Sequence, residues 1–249
     1  MTNRPFWLAY PLALLFFFSL WKGVSIIAGP VVVPGPVETI QALADEIRTK
    51  EYWAHFAISA YRIGMSLWLA FITAVPLGLA LGGSRRADRA AAPFINLSYP
   101  IPKIVFLPLV LLLFGLGDLS KIVLVAVVVF FQLLITTRDA ARLITKEMRY
   151  SMKSLGANRR DFFVHVIWPF CLPGIFTSLR IGIGTAIAVL FFVESIGTRR
   201  GLGLYILDAW GMANYTIMYV GIISLSGLGI FIYEIFDILE RHYCHWKNV

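Results

Sequence analysis

Six apolar stretches divide the chain, and short polar segments separate them. They lie near Phe6–Ala28, Phe56–Gly83, Ile104–Gly117, Leu119–Thr137, Phe170–Ser195 and Tyr215–Leu239. A helix needs about 20 apolar residues to cross the roughly 30 Å hydrocarbon layer of a membrane, and all but the third stretch come close to this length or exceed it. The pattern therefore predicts an all-α integral membrane protein with six transmembrane helices.

The third stretch is short, and prolines crowd both it and its approach. They are Pro93, Pro100, Pro102 and Pro108. We expect this helix to be short, kinked or preceded by a broken entry, because proline removes a backbone donor. Irregular backbone at membrane depth is tolerated where it is buried or lines a cavity. Pro102 and Pro108 are therefore either part of a structural kink or candidate residues of a pathway through the membrane.

Composition and charge agree with a membrane protein. Of the 249 residues, 59% are hydrophobic and 14% are charged, against about 25% charged in a soluble domain. With both termini inside, 14 of the 22 Lys and Arg residues fall on the inner side and six on the outer side. Positive charge concentrates in cytoplasmic loops, so both termini are predicted to be cytoplasmic. Nucleic acid is excluded as a partner, since no soluble basic domain is present to bind it.

The largest inner loop, residues 138–169, contains a basic and amphipathic segment. Apolar residues recur there at steps of three and four: Ala141, Ile144, Met148, Met152 and Leu155. This spacing predicts a helix that ends at Gly156. Asn158 and Asp161 have capping-box spacing, and they predict a second short helix that runs up to Pro169. Such a pair either lies on anionic membrane lipid or docks into the groove of a partner.

The spacing of this segment resembles the EAA loop of permease subunits of ABC importers. That pattern reads Glu-Ala-Ala, three residues, Gly, nine residues, Ile, one residue, Leu-Pro. Gly156 and Pro169 have the required separation, with Val166 and Trp168 at the Ile and Leu positions. In the family this loop inserts into the ATPase subunit. The resemblance implies an ATPase-coupling role for eight residues, the first three of which replace Glu-Ala-Ala: Tyr150, Ser151, Met152, Leu155, Gly156, Ala157, Val166 and Pro169.

Further segments resemble the branch of this family that imports nitrate, sulfonates, taurine or bicarbonate. They are "YPIPKIVFLPLVLLLFGLGDLSK" (residues 99–121), "LPGIFTSLRIGIG" (172–184), "VES" (193–195) and "GLGLYILDA" (201–209). The resemblance implies a type I importer permease in the inner membrane. One transmembrane helix with an outer segment (residues 1–55) would precede a five-helix core (residues 56–249). The implied partners are a second permease copy, two cytoplasmic ABC ATPase subunits and an extracytoplasmic solute-binding protein.

Catalytic motifs are missing from the sequence. It contains no G-x-x-x-x-G-K-[ST] phosphate loop, no H-E-x-x-H and no G-x-S-x-G. The chain is therefore expected not to be an enzyme, with ATP hydrolysis supplied by a separate subunit, and no cofactor or metal is expected. The alternative function is that of a stand-alone secondary transporter or channel. An adjacent ATPase gene would favour the importer.

Charged residues in or beside the spans are candidates for transport. Arg180 is about 15 Å along the fifth span, where a charge is costly unless it has water or a partner. It either lines the translocation route together with Glu194 or extends to the inner-leaflet phosphates. Arg199 and Arg200, in a predicted outer loop over residues 196–214, are candidate contacts for the solute-binding protein. Gly174, Ser178, Gly182 and Ala186 form a small-residue stripe, which serves either packing or a dimer seam.

Overall fold

The computed structural model describes the backbone of residues 6–248 and the side chains of residues 11–246, and all regular structure in this part of the chain is helical. The α-helices are α1 (Phe6–Ala28), α2 (Pro36–Glu46), α3 (Lys50–Gly83), α4 (Arg85–Ser98), α5 (Leu107–Phe114), α6 (Asp118–Arg142), α7 (Lys146–Ser154), α8 (Arg159–Phe162), α9 (Trp168–Glu194), α10 (Leu202–Gly211) and α11 (Tyr215–Tyr243). Two 3₁₀ turns (Lys103–Phe106 and His245–Asn248) and one π-helical turn (Phe163–Ile167) complete the described elements.

Five helical segments are long and apolar enough to cross a membrane. They are Pro11–Ala28, Lys50–Gly83, Asp118–Arg142, Arg159–Glu194 and Tyr215–Tyr243. The pair Arg85–Ser98 and Lys103–Phe114 passes the same test as one span broken by a bend of 79°. Counted as one span, this pair brings the candidate spans among the described residues to six, in agreement with the prediction, and it is the third of them.

The chain divides into two compact units. One contains the residues up to Ile58 together with Arg199–Leu225, and the other contains Ser59–Thr198 together with the residues from Ser226 onward. Because α3 and α11 each begin in the first unit and end in the second, neither unit is a continuous piece of chain. The predicted division between residues 55 and 56 stays a prediction.

In the first unit, side-chain hydrogen bonds join segments that are far apart in sequence. The hydroxyl oxygens of Tyr52 and Ser224 are 2.8 Å apart, and both side chains are buried. His55 Nδ1 is 2.8 Å from the carbonyl oxygen of Gly201, which directly precedes α10. Trp21 Nε1 donates to the carbonyl oxygen of Pro34 at 3.0 Å. These bonds fix the beginning of α3 against α10 and α11, and the end of α1 against the segment that follows it.

The segment predicted to be an outer loop, residues 196–214, is not a loop throughout, so that prediction is wrong in its central part. Helix α10 occupies Leu202–Gly211, and its buried positions include Leu202, Ile206 and Ala209. Steps of four and three place these three side chains on one face of a helix. The glycines at positions 201 and 203 make this helical spacing of apolar residues hard to recognise in the sequence.

In the second unit, α6 is the central helix, and small residues allow its neighbours to approach closely. A Cβ atom on Gly78 of α3 would lie 2.8 Å from Thr137 Cβ and 2.9 Å from the carbonyl oxygen of Leu134. The stripe on α9 also faces α6, since a Cβ atom on Gly182 would lie 3.7 Å from Val129. Both helices therefore use small residues for packing within the chain.

The bend of the third span leaves backbone carbonyls without helical partners, and one lysine binds them. Lys103 Nζ donates to the carbonyl oxygens of Ser98, Tyr99 and Ile101 at 2.6, 2.8 and 2.8 Å. The same ammonium lies 4.4 Å from the centre of the Phe131 ring. Within lipid an unpaired carbonyl costs several kcal/mol, so this lysine makes the break tolerable. The expectation of a broken entry to the third span is confirmed.

Candidate functional site

The segment between α6 and α9 contains a glycine turn that the hydrogen bonds define completely. Gly156 has φ of 76°, in the left-handed region that favours glycine. Its N–H donates to the carbonyl oxygen of Lys153 at 3.0 Å, and the Ala157 N–H donates to that of Met152 at 3.1 Å. This pair of bonds is the Schellman motif, which ends α7. The predicted role of Gly156 as the end of a helix is confirmed.

Capping side chains begin the helices on both sides of the turn. Asn158 accepts from the backbone N–H groups of Arg160 and Asp161, while the Asp161 carboxylate accepts from the Asn158 N–H at 3.0 Å. The predicted capping box is therefore present. Thr145 accepts from the Met148 N–H at 3.3 Å and begins α7.

Two details of the predicted helix pair are wrong. No single helix runs from Ala141 to Leu155, because α6 ends at Arg142 and Thr145 has extended backbone with ψ of 163°. Pro169 does not end a helix either. A π-helical turn precedes it, and α8, that turn and α9 form one helical segment over Arg159–Glu194. The wider turn accommodates proline, which has no N–H to donate.

The residues implied in ATPase coupling surround this turn, and several of them face one groove. The groove has a volume of about 580 Å³, and the coupling residues among its lining are Ser151, Met152, Val166 and Pro169. Tyr150 and Leu155 extend outward, with 64% and 81% of their surface exposed. Gly156 is exposed and Ala157 is half-buried. The segment thus presents a groove and two large exposed side chains.

A buried charge network lies near the opposite end of α9. Arg62 of α3 donates through Nη1 to Glu194 Oε1 at 2.8 Å, and through Nη2 to Asp118 Oδ1 at 2.6 Å. The Ser59 hydroxyl is 2.9 and 2.7 Å from the two Glu194 carboxylate oxygens. Glu194 is completely buried and Arg62 is 4% exposed. A charge so far from water is stable only with such partners.

A second ion-pair network binds Arg180. Its Nη1 contacts Asp237 Oδ1, and its Nη2 lies 2.5 Å from Glu240 Oε2. Arg241 also pairs with Asp237, at 2.6 Å. Arg180 therefore joins α9 to α11, and the structure does not bring it together with Glu194. The role of both residues in a pathway stays a prediction.

Sequence reasoning missed the partners in these networks. Arg62, Asp118, Asp237 and Glu240 were not among the candidate residues. Their only signal in the sequence is a charge of either sign within or beside an apolar stretch. Which charge pairs with which depends on the packing of α3, α6, α9 and α11, and the sequence alone does not give it.

The remaining candidate residues lie at helix boundaries. Pro102 directly precedes the 3₁₀ turn and Pro108 lies in the first turn of α5, so both flank the bend of the third span. Arg199 and Arg200 are exposed in the segment just before α10.

Comparison with protein families gives a match over most of the chain. The family described as binding-protein-dependent transport system inner membrane component matches residues 74–243. The chain is also similar to the taurine transport system permease protein TauC of Escherichia coli, with 28% identity over 94% of this chain and 88% of the relative. The putative aliphatic sulfonates transport permease protein SsuC of Bacillus subtilis is 26% identical over 97% of this chain and 87% of its own length. The nitrate import permease protein NrtB of Synechococcus elongatus is 24% identical, over 90% and 86%.

A solved structure gives a likeness at the level of the fold. A chain of the MetNI methionine ABC transporter in an inward-facing conformation matches with a TM-score of 0.65 and 19% identity. The match covers 77% of this chain and 96% of that chain. This likeness supports the type I permease fold for the chain.

The buried network around Arg62 generates a stability prediction. Arg62→Met removes the guanidinium that bonds the buried Glu194, and breaking a buried pair from one side costs about 3–5 kcal/mol. We expect a clear fall of the melting temperature in detergent, and we expect Arg62→Met/Glu194→Gln to regain most of it. Arg48→Met is the control, because the ion pair of Arg48 with Asp45 is solvent-exposed. Equal melting temperatures for Arg62→Met and Arg48→Met would contradict the importance of this network.

Proposed function

This chain belongs to the family of binding-protein-dependent transport system inner membrane components and is the permease subunit of an ATP-driven importer, and we propose that its solute is a small sulfonate-type anion. The family match over residues 74–243 supports the assignment as a permease subunit. The names of the relatives support the proposed solute, because two of those most similar are named for taurine and aliphatic sulfonate transport. Nitrate, named for a third relative, shares with a sulfonate a compact group of oxygens around one negative charge.

The chain itself is not an enzyme. A permease of an ABC importer works with separate ATPase subunits, and a solute-binding protein delivers the solute. We propose that the permease acts as a pair of identical copies, with two cytoplasmic ATPase subunits and an extracytoplasmic binding protein. The exposed Arg199 and Arg200 before α10 are the proposed contacts for the binding protein.

We propose that the α7–α8 turn docks into an ATPase subunit. The caps at Thr145 and Asn158 and the Schellman bonds at Gly156 fix the shape of this turn by local hydrogen bonds. Leu155 and Tyr150 remain largely exposed on it. Large apolar side chains that a rigid segment presents outside the spans favour a protein groove as their partner. The acidic residue usual at position 150 of this motif is replaced by tyrosine, so the contact there is aromatic.

The proposed topology places both chain ends in the cytoplasm. The cations that flank the spans support it, since Arg85, Arg86 and Arg89 begin α4 while Lys146 and Arg149 lie on α7. Positive charge in short loops favours the cytoplasmic side. The α7–α8 turn then faces the ATPase, and α10 faces the extracytoplasmic side.

The solute proposal is tested by uptake. Cells that contain this chain with its neighbouring ATPase and binding protein are expected to take up labelled taurine in an ATP-dependent manner. Unlabelled ethanesulfonate should compete strongly, and a neutral analogue without the sulfonate group should not. Uptake that responds to nitrate but not to ethanesulfonate would refute a sulfonate and leave the importer function intact.

The docking proposal is tested at Gly156. A Cβ atom there would meet no other atom within 4 Å, so only the positive φ restricts this position. Gly156→Val is expected to lower uptake at least tenfold, because a β-branched residue strongly disfavours left-handed backbone. Gly156→Asn is the matched control and should retain most uptake, since asparagine tolerates this conformation. Equal uptake by the two variants at equal expression would count against the turn as a coupling element.

The topology is tested by labelling two exposed positions with a membrane-impermeant thiol reagent. In intact cells, Arg199→Cys is expected to react and Lys153→Cys is expected to react only after the membrane is permeabilised. The native Cys171 and Cys244 are buried and should give little background. Labelling of position 153 in intact cells would reverse the orientation and place the α7–α8 turn outside.

A further inference from the structure

A polar cleft lies where α3, α4, α6 and α7 meet, within the second unit. Its volume is about 850 Å³. Gly82 and Gly83 contribute the end of α3, and Ala141 the end of α6. The first turns of α4 and α7 form the rest of the wall. The cleft therefore lies at the level where membrane-spanning helices end.

The charge of this cleft is strongly unbalanced. Five cationic side chains line it: Arg85, Arg89, Arg142, Lys146 and Arg149. Asp88 is the acid among the lining residues, and it is already bound by Arg138 and by Arg142 at 3.6 Å. The cations are mostly exposed, and together they produce a region of positive potential.

Acidic side chains near the cleft do not remove this excess. Asp139 is exposed and pairs with Arg142 at 4.0 Å. Glu147 accepts hydrogen bonds from its own backbone N–H and from the Thr145 side chain, which lower the pKa of its carboxyl group. Its charge is therefore directed at the first turn of α7. Neither of the two belongs to the lining of the cleft.

Two helix N-termini add to the positive potential. Helix α4 begins at Arg85 after the capping residue Ser84, and α7 begins at Lys146 after Thr145. The first turn of a helix presents unpaired N–H groups and a partial positive charge, which favour an anion. The cationic side chains and the N-termini of α4 and α7 therefore all contribute positive potential to the same cleft.

We propose that this cleft binds the phosphate group of an anionic phospholipid from the inner leaflet. Basic pockets between membrane-spanning helices on the cytoplasmic side suit such headgroups. Ile144 in the lining supplies apolar surface for the adjoining glycerol and chain. A free phosphate carries the same anionic group as the headgroup, but it has no apolar part that could contact this surface.

A bound headgroup would join α4 to α7. Helix α4 is the first half of the broken third span, and α7 forms one arm of the turn proposed to meet the ATPase. The anionic lipid therefore holds the coupling segment against the membrane part of the permease. The inference requires that the cleft face the inner leaflet, as the proposed topology states, and its binding test does not depend on transport.

The test measures lipid binding to the detergent-solubilised full-length permease by native mass spectrometry. Arg89→Gln/Lys146→Gln removes two charges from the cleft. Arg86→Gln/Arg160→Gln is the matched control, because it removes two exposed charges that do not line the cleft. The affinity for phosphatidylglycerol is expected to fall about 20-fold in the first variant and less than about twofold in the control.

Three results would overturn the proposal. Equal losses in the two double variants would show that the cleft is not the site. Equal retention of phosphatidylcholine and phosphatidylglycerol would show that charge does not select the lipid. Inorganic phosphate that binds as tightly as phosphatidylglycerol, with the same dependence on Arg89 and Lys146, would assign the cleft to a soluble anion instead.

Discussion

Within a hydrocarbon layer neither a charge nor a backbone carbonyl finds water, so each needs a partner inside the protein. The second unit of this permease depends on that constraint. Arg62 and Glu194 are buried together, and the Lys103 ammonium binds the carbonyls that the bend of the third span exposes. Lys121, which is completely buried, likewise donates to the carbonyl oxygen of Leu116 at 2.7 Å. Polar groups here do not interrupt an apolar core; they make its irregular backbone stable.

The same requirement explains why α6 is the central helix. Its first residue, Asp118, pairs with Arg62 of α3, and near its other end Arg138 pairs with Asp88 of α4. Between these two ends, small residues of α3 and α9 approach its side chains and backbone closely. Lipid offers apolar helices no hydrophobic reason to associate, so close packing and polar contacts must hold them. In α6 the close packing extends from the middle to the last turn, where it lies beside the ion pair of Arg138.

Features that depend on neighbours in sequence could be predicted from the sequence, and those that depend on neighbours in space could not. The glycine turn at Gly156 and the capping box at Asn158 were predictable because all their hydrogen bonds lie within a few residues. The partner of Arg180 was not, since Asp237 is 57 residues away. Pro169 is an intermediate case. Proline usually ends a helix, but here the helix continues because the π-helical turn before Pro169 accommodates a residue without an N–H donor.

That π-helical turn gives the proposed coupling a physical path. Residues Arg159–Glu194 form one helical segment of 36 residues, about 54 Å long at 1.5 Å per residue. One end carries the capping box beside the proposed docking turn, and the other end carries Glu194, bound to α3 through Arg62. Arg180, part-way along the segment, is bound to α11. If the proposed ATPase contact displaces α8, the ion pairs of Glu194 and Arg180 would transmit that displacement to α3 and α11.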